Sequence, residues 1–338
     1  MSRDVTVAIP AHGSPERVIA LLRGLAEQAR EGEPLAVIVS DDASPEPLAP
    51  ALEAAALDGL NLRVVRSEVN GGPGAARNRA LDAVETNWVA FMDADELASE
   101  DWLETFEQLA ADPAGPEVIV GRVAIAGEPS PFQHATEEST EGEQYGAGNV
   151  AFRCEALRAD GGFDERFYDS ARRLHFREDA ELHFRLEKAG RRVCFAPELV
   201  VEHPPLPSSF WGPARLARRY YFDALLSREH PELFRRHMRA RRVGPISLRS
   251  ARHDAALAYA GGLALTAGGV AARSRATARV GAVTLAAAWA LNLVALSWKK
   301  RVRPRHLPGL SVLAGIVPLV YLWDFYRGVL AFRHHPRL

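Results

Sequence analysis

A chain of 338 residues, 47% apolar and 25% charged, has a globular composition and length for one large domain or two ordinary ones, which excludes a disordered or low-complexity protein. Its net charge of −2 hides two opposed halves: residues 1–206 carry 19 Lys and Arg against 38 Asp and Glu, and residues 207–338 carry 22 against 5. The basic half is interleaved with long uncharged apolar runs, which points to an anionic membrane surface and away from nucleic acid.

The first hundred residues alternate strand and helix. Strands are predicted at 5–9, 35–39, 62–66 and 88–92, with helices from Ser14-Pro15 to Ala29, near 47–57 and over 74–85 between them. Such alternation predicts an α/β fold with a parallel sheet under helices. In the first helix Val18, Leu21, Leu22, Leu25 and Ala29 fall on one stripe, with Ser14 as N-cap and Pro15 at the first helical position. A helix at 100–110 and a strand at 118–123 follow. Residues 127–147 then lose periodicity, become rich in Glu, Ser and Gly, and read as a mobile loop. Order returns with Asn149-Val150-Ala151-Phe152, a turn at Gly161-Gly162, a helix from Glu178 to Ala189 closed by Gly190, and a strand at 193–196.

Pro204-Pro205-Leu206-Pro207 marks a linker, so a domain is expected over 1–206, basic juxtamembrane helices over 207–252 and membrane-associated helices over 253–338. Arg215, Arg218, Arg219, Tyr220 and Tyr221 suit anionic headgroups, or equally a solvated helix face. Three uncharged stretches, Ala255–Ala272, Val280–Trp298 and Leu307–Trp323, each approach the ~20 residues that cross a bilayer core. Because they are rich in Ala and Gly, buried soluble helices are the competing reading. Basic residues separate the first two (Arg273, Arg275, Arg279) and follow the second (Lys299, Lys300, Arg301, Arg303, Arg305). The positive-inside rule then favours a hairpin of the first two stretches, with the third re-entrant or in the interface. The two cysteines, Cys154 and Cys194, form no metal-spaced or redox pair and read as buried hydrophobes in a reducing compartment. The N-terminus lacks the features of a signal peptide, so the N-terminal half is expected on the cytoplasmic side.

Asp93 and Asp95 stand directly behind the apolar run Trp88-Val89-Ala90-Phe91-Met92, at the C-terminal mouth of a predicted strand. Ligands of open α/β sheets gather there, and alternate carboxylates offer hard oxygens to Mg2+ or Mn2+ shared with substrate phosphates. A solvated turn or helix cap is the plainer reading of so short a motif. Asp41-Asp42 follow the second strand and Pro10-Ala11 the first, so three strand ends converge. Behind the third strand, Asn70-Gly71-Gly72-Pro73-Gly74-Ala75-Ala76-Arg77-Asn78 is a Gly-rich loop opening a helix, whose Arg77 suits an anionic or nucleobase group. Its order and position differ from the dinucleotide fingerprint.

The segments Val7-Ala8-Ile9-Pro10-Ala11, Ser40-Asp41-Asp42-Ala43-Ser44, Asn70 to Asn78 and Asp93-Ala94-Asp95, in that order and spacing, resemble the family 2 glycosyltransferases with the GT-A fold. Gly148-Asn149-Val150-Ala151-Phe152-Arg153, Gly161-Gly162-Phe163-Asp164-Glu165 and Arg177-Glu178-Asp179-Ala180-Glu181-Leu182 are similar to the acceptor-side half of that family. The resemblance covers residues 4–205. It implies a mixed, mostly parallel α/β sheet and an inverting transfer of sugar from a nucleotide-diphospho-sugar to a hydroxyl of a glycan, glycolipid or polyprenyl-linked acceptor, which the basic apolar tail and the N-terminus lead us to expect at the cytoplasmic membrane face. It also implies that Pro10, Ala11, Asp42, Arg77 and Asp93 hold the nucleoside, and that Asp93, Asp95 and His203 hold Mg2+ or Mn2+ at the diphosphate.

A cation there stabilises the charge that departs with the diphosphate. The acceptor hydroxyl needs a general base, for which Asp179 is the candidate, with Glu178 as runner-up or orienting neighbour. Complementing a helix dipole is the plainer role of these two, and His203 reads equally as a turn residue before Pro204. Ala11-His12 departs from the aromatic and Asn that many relatives carry, which bears on base packing. Two other functions stay open: a metal-dependent phosphotransferase or nucleotidyltransferase using Asp93 and Asp95, and a catalytically inactive, membrane-tethered scaffold.

Overall fold

Apolar runs bounded by polar residues become buried strands, most of them longer than their pattern alone suggests. The computed structural model describes residues 4–29, 33–127, 130–132, 146–204, 208–244, 246–298 and 302–334. It forms two units, residues 1–127 with 136–205 and residues 128–135 with 206–338.

The first unit runs β1 (Val5–Ala11), α1 (Pro15–Glu27), β2 (Leu35–Asp42), α2 (Ala49–Ala54), β3 (Leu60–Ser67), α3 (Gly72–Asp82), β4 (Trp88–Met92), β5 (Leu97–Ala98), α4 (Trp102–Ala110) and β6 (Val118–Ile125). It continues with β7 (Asn149–Arg153), α5 (Cys154–Ala159), β8 (Tyr168–Asp169), β9 (Leu174–His175), α6 (Glu178–Lys188) and β10 (Val193–His203). One eight-stranded sheet has the order β3-β2-β1-β4-β7-β6-β10-β5. Pairs β1/β2, β2/β3, β1/β4 and β6/β10 are parallel, and β4/β7, β6/β7 and β5/β10 antiparallel. The sheet is mixed, as expected. With β2 on one side of it and β4 on the other, β1 is a topological switch point, where open sheets bind ligands beyond their strand ends.

Strand periodicity divides the core. Val7, Ile9, Trp88, Ala90 and Met92 face one layer with Leu21, Leu22, Leu25, Trp102 and Phe106, while Ala8, Val89 and Phe91 face the other with Ala80, Phe152, Phe163, Leu182 and Leu186. Asn149 ties the antiparallel half together. Its Oδ1 accepts from Trp102 Nε1 (3.0 Å), and its Nδ2 donates to the carbonyls of Arg122 (3.1 Å) and Leu199 (2.8 Å).

Several expected boundaries move. Ser14 precedes α1 in a left-handed conformation (φ 57) and makes no side-chain cap bond; only its carbonyl serves the helix, accepting from Arg17 N at 3.1 Å. Pairing with both neighbours carries β2 through Asp41 and Asp42, so these carboxylates belong to the strand end. Helix α6 ends as predicted, with Gly190 left-handed (φ 66) and Arg191 N bonded to Leu186 O. Pro197 and Glu198 interrupt the apolar run of β10, yet the strand resumes after an irregularity between Ala196 and Val200 and reaches His203. Most of the 127–147 segment, expected as a mobile loop, lies outside the described residues, as do residues 205–207 of the linker.

The second unit contains α7 (Gly212–Arg218), α8 (Asp223–Glu229), α9 (Pro231–His237), β11 (Ala240–Val243), β12 (Ile246–Arg249), α10 (Ser250–Ala271), α11 (Arg275–Ser297) and α12 (Leu307–Phe332). An antiparallel β11/β12 pair thus interrupts a stretch expected to be helical. α10 and α11 meet through glycines, since a Cβ on Gly281 would fall 2.4 Å from Thr266 N and one on Gly269 2.4 Å from Ala278 N. Small residues of this kind let helix backbones approach closely. Among the described residues, the helices long and apolar enough to cross a membrane are α11 and the run Pro304–Phe332. These are the second and third apolar stretches, whereas the sequence suggested the first and second. Of the two, α11 is 11% buried within the protein and carries exposed Val283, Leu291 and Val294, while α12 buries Tyr321, Asp324 and Phe325.

Candidate active site

Arg77, on the first turns of α3, links two of the acidic residues that the sequence singled out, Asp93 and Glu178. It is 4% exposed; its Nη2 donates to Asp93 Oδ1 at 2.7 Å, and its Nη1 lies 3.6 Å from Glu178 Oε1. Phe163 takes the guanidinium against its ring, 5.4 Å from the centroid. Nε and Nη1 are buried with no hydrogen-bond partner among the described residues. Burial would lower the guanidinium's proton affinity, but the charges of Asp93, Glu178 and Asp179 outweigh it and hold it cationic.

Glu178 and Asp179 open α6 behind Arg177, a non-glycine residue at φ 80. Ala43, just after Asp42, is likewise left-handed at φ 57. Backbone strain of this kind gathers at functional sites. The Asp179 carboxylate accepts from Ala180 N at 2.7 Å. Burial, then the charge of Glu178, pushes its pKa up to about 7. Glu178 moves the other way: burial raises it, but the His175 hydrogen bond and charge, with Arg77, prevail and lower it.

The acidic pair behind β4 splits into two environments. Asp93, 41% exposed at its side chain, turns one oxygen to Arg77. Asp95 turns toward His203, with Nε2 3.7 Å from its Oδ1, and toward Arg17 Nη1 at 3.4 Å. His203 Nδ1 lies 2.8 Å from the Pro204 carbonyl. A carbonyl oxygen only accepts, so Nδ1 carries a proton, and a metal would bind Nε2 of this tautomer on the side facing Asp95. Among the described residues no group of three or more His, Cys, Asp or Glu forms a ready cation cage. An oxygen and an imidazole nitrogen side by side nevertheless fit Mn2+ or Mg2+, which take few protein ligands and share substrate phosphates.

Asp42 is held by the Gly-rich loop. Its carboxylate, expected to face a nucleobase, is 3% exposed and accepts from Gly71 N (3.1 Å), Gly72 N (2.8 Å) and Arg79 Nη2 (3.2 Å). Orphan amides of the Gly-rich loop draw it inward, so it braces that loop. Asp41 is fully buried and braces the next turn through Ser44 N and Leu48 N. Pro10 and Ala11 end β1 beside Ser40 and Asp41; Ala11 is buried and Pro10 half-buried. His12 follows, donating from Nδ1 to the Asp42 carbonyl at 2.9 Å.

Sequence reasoning missed four contributors. Glu96 is buried against Gly148, accepts Asp93 N at 2.9 Å, and is driven well above the carboxylate range first by burial and then by Asp93. Arg79, Tyr168 and His175 were also missed. Arg79 repeats the basic signal of Arg77 two residues on and was detectable; the others depend on tertiary neighbours.

A mixed sheet with acidic strand ends around a Gly-rich loop is the plan of a GT-A glycosyltransferase. The model of Glycosyl transferase family 2 matches residues 6–173. The pre-mycofactocin glycosyltransferase of Mycobacterium tuberculosis is 31% identical over 221 residues, covering 60% of this chain and 43% of its own length. The succinoglycan biosynthesis protein ExoO of Rhizobium meliloti is 32% identical over 122 residues, 36% of this chain and 34% of that protein. The chain therefore spans less than half the length of these relatives. Among solved structures, the mannosyltransferase of Pyrobaculum calidifontis in complex with GDP-Man and Mn2+ superposes with a TM-score of 0.55 at 22% identity, covering 96% of this chain and 88% of that one. Staphylococcus aureus TarS 1–349 with UDP-GlcNAc gives 0.51 at 16% identity, covering 98% and 92%. The chain belongs to glycosyl transferase family 2.

Proposed function

We propose that the chain moves a sugar from a nucleotide-diphospho-sugar to a hydroxyl acceptor, with inversion at the anomeric carbon and with Mg2+ or Mn2+, at the cytoplasmic face of a membrane. The observation that carries this reading is Arg77, which joins Asp93 at the end of β4 to Glu178 at the head of α6. A cation held by Asp95 and His203, with Asp93 beside them, would supply Lewis-acid stabilisation of the departing diphosphate. Asp179, with its pKa near 7, takes the proton of the acceptor hydroxyl. The acceptor oxygen attacks the anomeric carbon opposite the bond to the diphosphate, and that bond's electron pair leaves with the phosphate oxygen. One direct displacement inverts the centre. Arg77 holds Asp93 and Glu178 in place and keeps Glu178 ionised, which in turn raises Asp179.

Support comes from the nucleotide-sugars and Mn2+ named with the two superposed structures. The exposed apolar face of α11 and the succinoglycan biosynthesis in ExoO's name support a membrane-side acceptor of glycan or lipid-linked type. The test offers purified protein a panel of nucleotide-sugars with Mn2+ and follows release of nucleoside diphosphate. Asp179→Asn is expected to abolish transfer and leave nucleotide binding intact. Wild-type transfer by this variant removes Asp179 from the mechanism, and release of a sugar phosphate would replace the reading with phosphoryl or nucleotidyl transfer.

A further inference from the structure

Residues 255–323 of the second unit hold eight Lys and Arg and no Asp or Glu. The eight fall into two clusters, one at each end of α11: Arg273, Arg275 and Arg279 around its first turns, and Lys299, Lys300, Arg301, Arg303 and Arg305 between it and α12. Those that the structure describes, Arg273, Arg275, Arg279, Arg303 and Arg305, are exposed. Between the clusters α11 shows one apolar stripe. Val280, Val283, Ala287, Leu291 and Val294 recur at intervals of three and four residues, so they share a face, and Trp298 closes it one residue past the helix. All six are exposed, Val283 by 69% and Trp298 by 68%.

The rest of the helix surface is partly taken: Ala288 is buried, Gly281 lies against Thr266 of α10, and Trp289 Nε1 donates to the Ser311 carbonyl of α12 at 2.9 Å. From Val280 to Trp298 the stripe runs about 27 Å at the helical rise per residue. Positive charge at both of its ends restricts what can cover it. A second copy laid along it, parallel or antiparallel, would bring two basic clusters together at each end, and like charges repel. An anionic bilayer surface meets the same charges with favourable sign, takes up the apolar side chains, and suits an indole at headgroup level. A span is disfavoured on the same ground, since it would carry one cluster to the far side against the positive-inside rule.

We propose that α11 lies in the plane of an anionic bilayer surface, its stripe toward the acyl chains and both ends on the cytoplasmic face, without crossing. An interfacial helix ordinarily carries a polar back. Here α10 and α12 cover part of the back, so the two-sidedness belongs to the packed helices and not to α11 alone. Length and composition that would allow a crossing are used instead to lay an apolar edge along the surface. The placement rests on the membrane side of the functional reading and not on sugar transfer itself.

Two measurements on the full chain test it. Cysteines are added at Ala272→Cys and Val302→Cys, one beyond each end of α11, and bacterial spheroplasts expressing each variant meet a membrane-impermeant maleimide, with the parent chain as blank. Both sites are expected to react only after lysis. Reaction of either one from outside makes α11 a span and overturns the in-plane placement, while leaving the membrane location standing. Purified protein is then floated with vesicles of phosphatidylcholine alone or with phosphatidylglycerol. Binding is expected to need the anionic lipid, to weaken about fivefold in Arg279→Ala, and to weaken about tenfold or more in Val283→Glu, with Val283→Leu retaining it. Wild-type binding by Val283→Glu overturns the role of the stripe. Protein that stays off both vesicles and sediments as a dimer makes the stripe an interface between copies and overturns the membrane location as well. Release of nucleoside diphosphate by the same preparation tests transfer separately.

Discussion

Glu178 and Asp179 are consecutive in the chain and opposite in acidity: the first is held below the usual carboxylate range by His175 and Arg77 despite burial, and the second is pushed up to about 7 by burial and by the first. Two neighbouring groups driven apart in this way divide the roles of charge and base.

The rate should therefore rise with pH as Asp179 loses its proton, with a midpoint near 7 in kcat/KM. Glu178→Gln removes a negative neighbour, which favours ionised Asp179 and moves the midpoint to lower pH. Burial, the larger cause, remains, so the shift is partial. A pH profile of the variant coinciding with the wild type would show that Glu178 does not tune the base.

The same displacement affects stability. A carboxyl whose folded pKa is raised contributes stability that is complete below its unfolded pKa and is lost as pH rises through about 7. Asn mimics the protonated form, so Asp179→Asn should match the wild type near pH 4 and be more stable at pH 8. The half-exposed side chain keeps some water, and the gain is on the order of 1–2 kcal/mol after screening. Thermal melts at both pH values decide it, and a variant less stable at pH 8 contradicts the burial argument.

Asp95 and His203 should act on nucleotide binding only when the cation is present. Asp95→Asn or His203→Ala is expected to cut the Mn2+-dependent part of nucleoside diphosphate affinity by roughly 10–100-fold, the range seen when metal-site partners are lost. Titrations with Mn2+ and with chelator separate the two contributions. An equal loss in chelator would make these residues direct nucleotide contacts.

Gly72→Ala meets two obstacles, a φ of +82 and the Tyr168 ring 2.5 Å from the new Cβ. Positive φ in a residue with a side chain and the collision together should cost roughly 1–3 kcal/mol. Tyr168→Ala in the same chain relieves only the collision, so denaturation of the double mutant should recover part of the loss. Full recovery would mean that the backbone tolerates alanine here.

Much of this arrangement was visible in the amino acids because local signals and tertiary roles coincide. Trp88–Met92 is apolar enough to be a strand anywhere, and Asp93 and Asp95 follow it whatever surrounds them. The head of α6 was legible from Gly190 and the acidic first turn. What stayed hidden is set by contacts across long separations. Glu96 looks like a solvated acid beside Asp95, yet it is buried with Gly148 in close approach. Asp42 carries the motif of a ligand contact, and its bonds to the amides of Gly71 and Gly72 could not be read from that motif. The two-residue strands β8 and β9 are too short for periodicity to register.

The irregularity in β10 leaves room for drift in chain length. Ala196 sits opposite Gly121 and Val200 opposite Arg122, so Pro197, Glu198 and Leu199 are extra residues between two adjacent rungs of the ladder, with Leu199 buried in the core. Trimming or lengthening that corner would leave the imidazole of His203 on its own rung across from Ile125. The toll falls on the core site of Leu199 and on Asn149, whose amide grips the Leu199 carbonyl. Relatives that differ in size at this corner should differ first in the residue at position 149, with the metal side of the crevice left undisturbed.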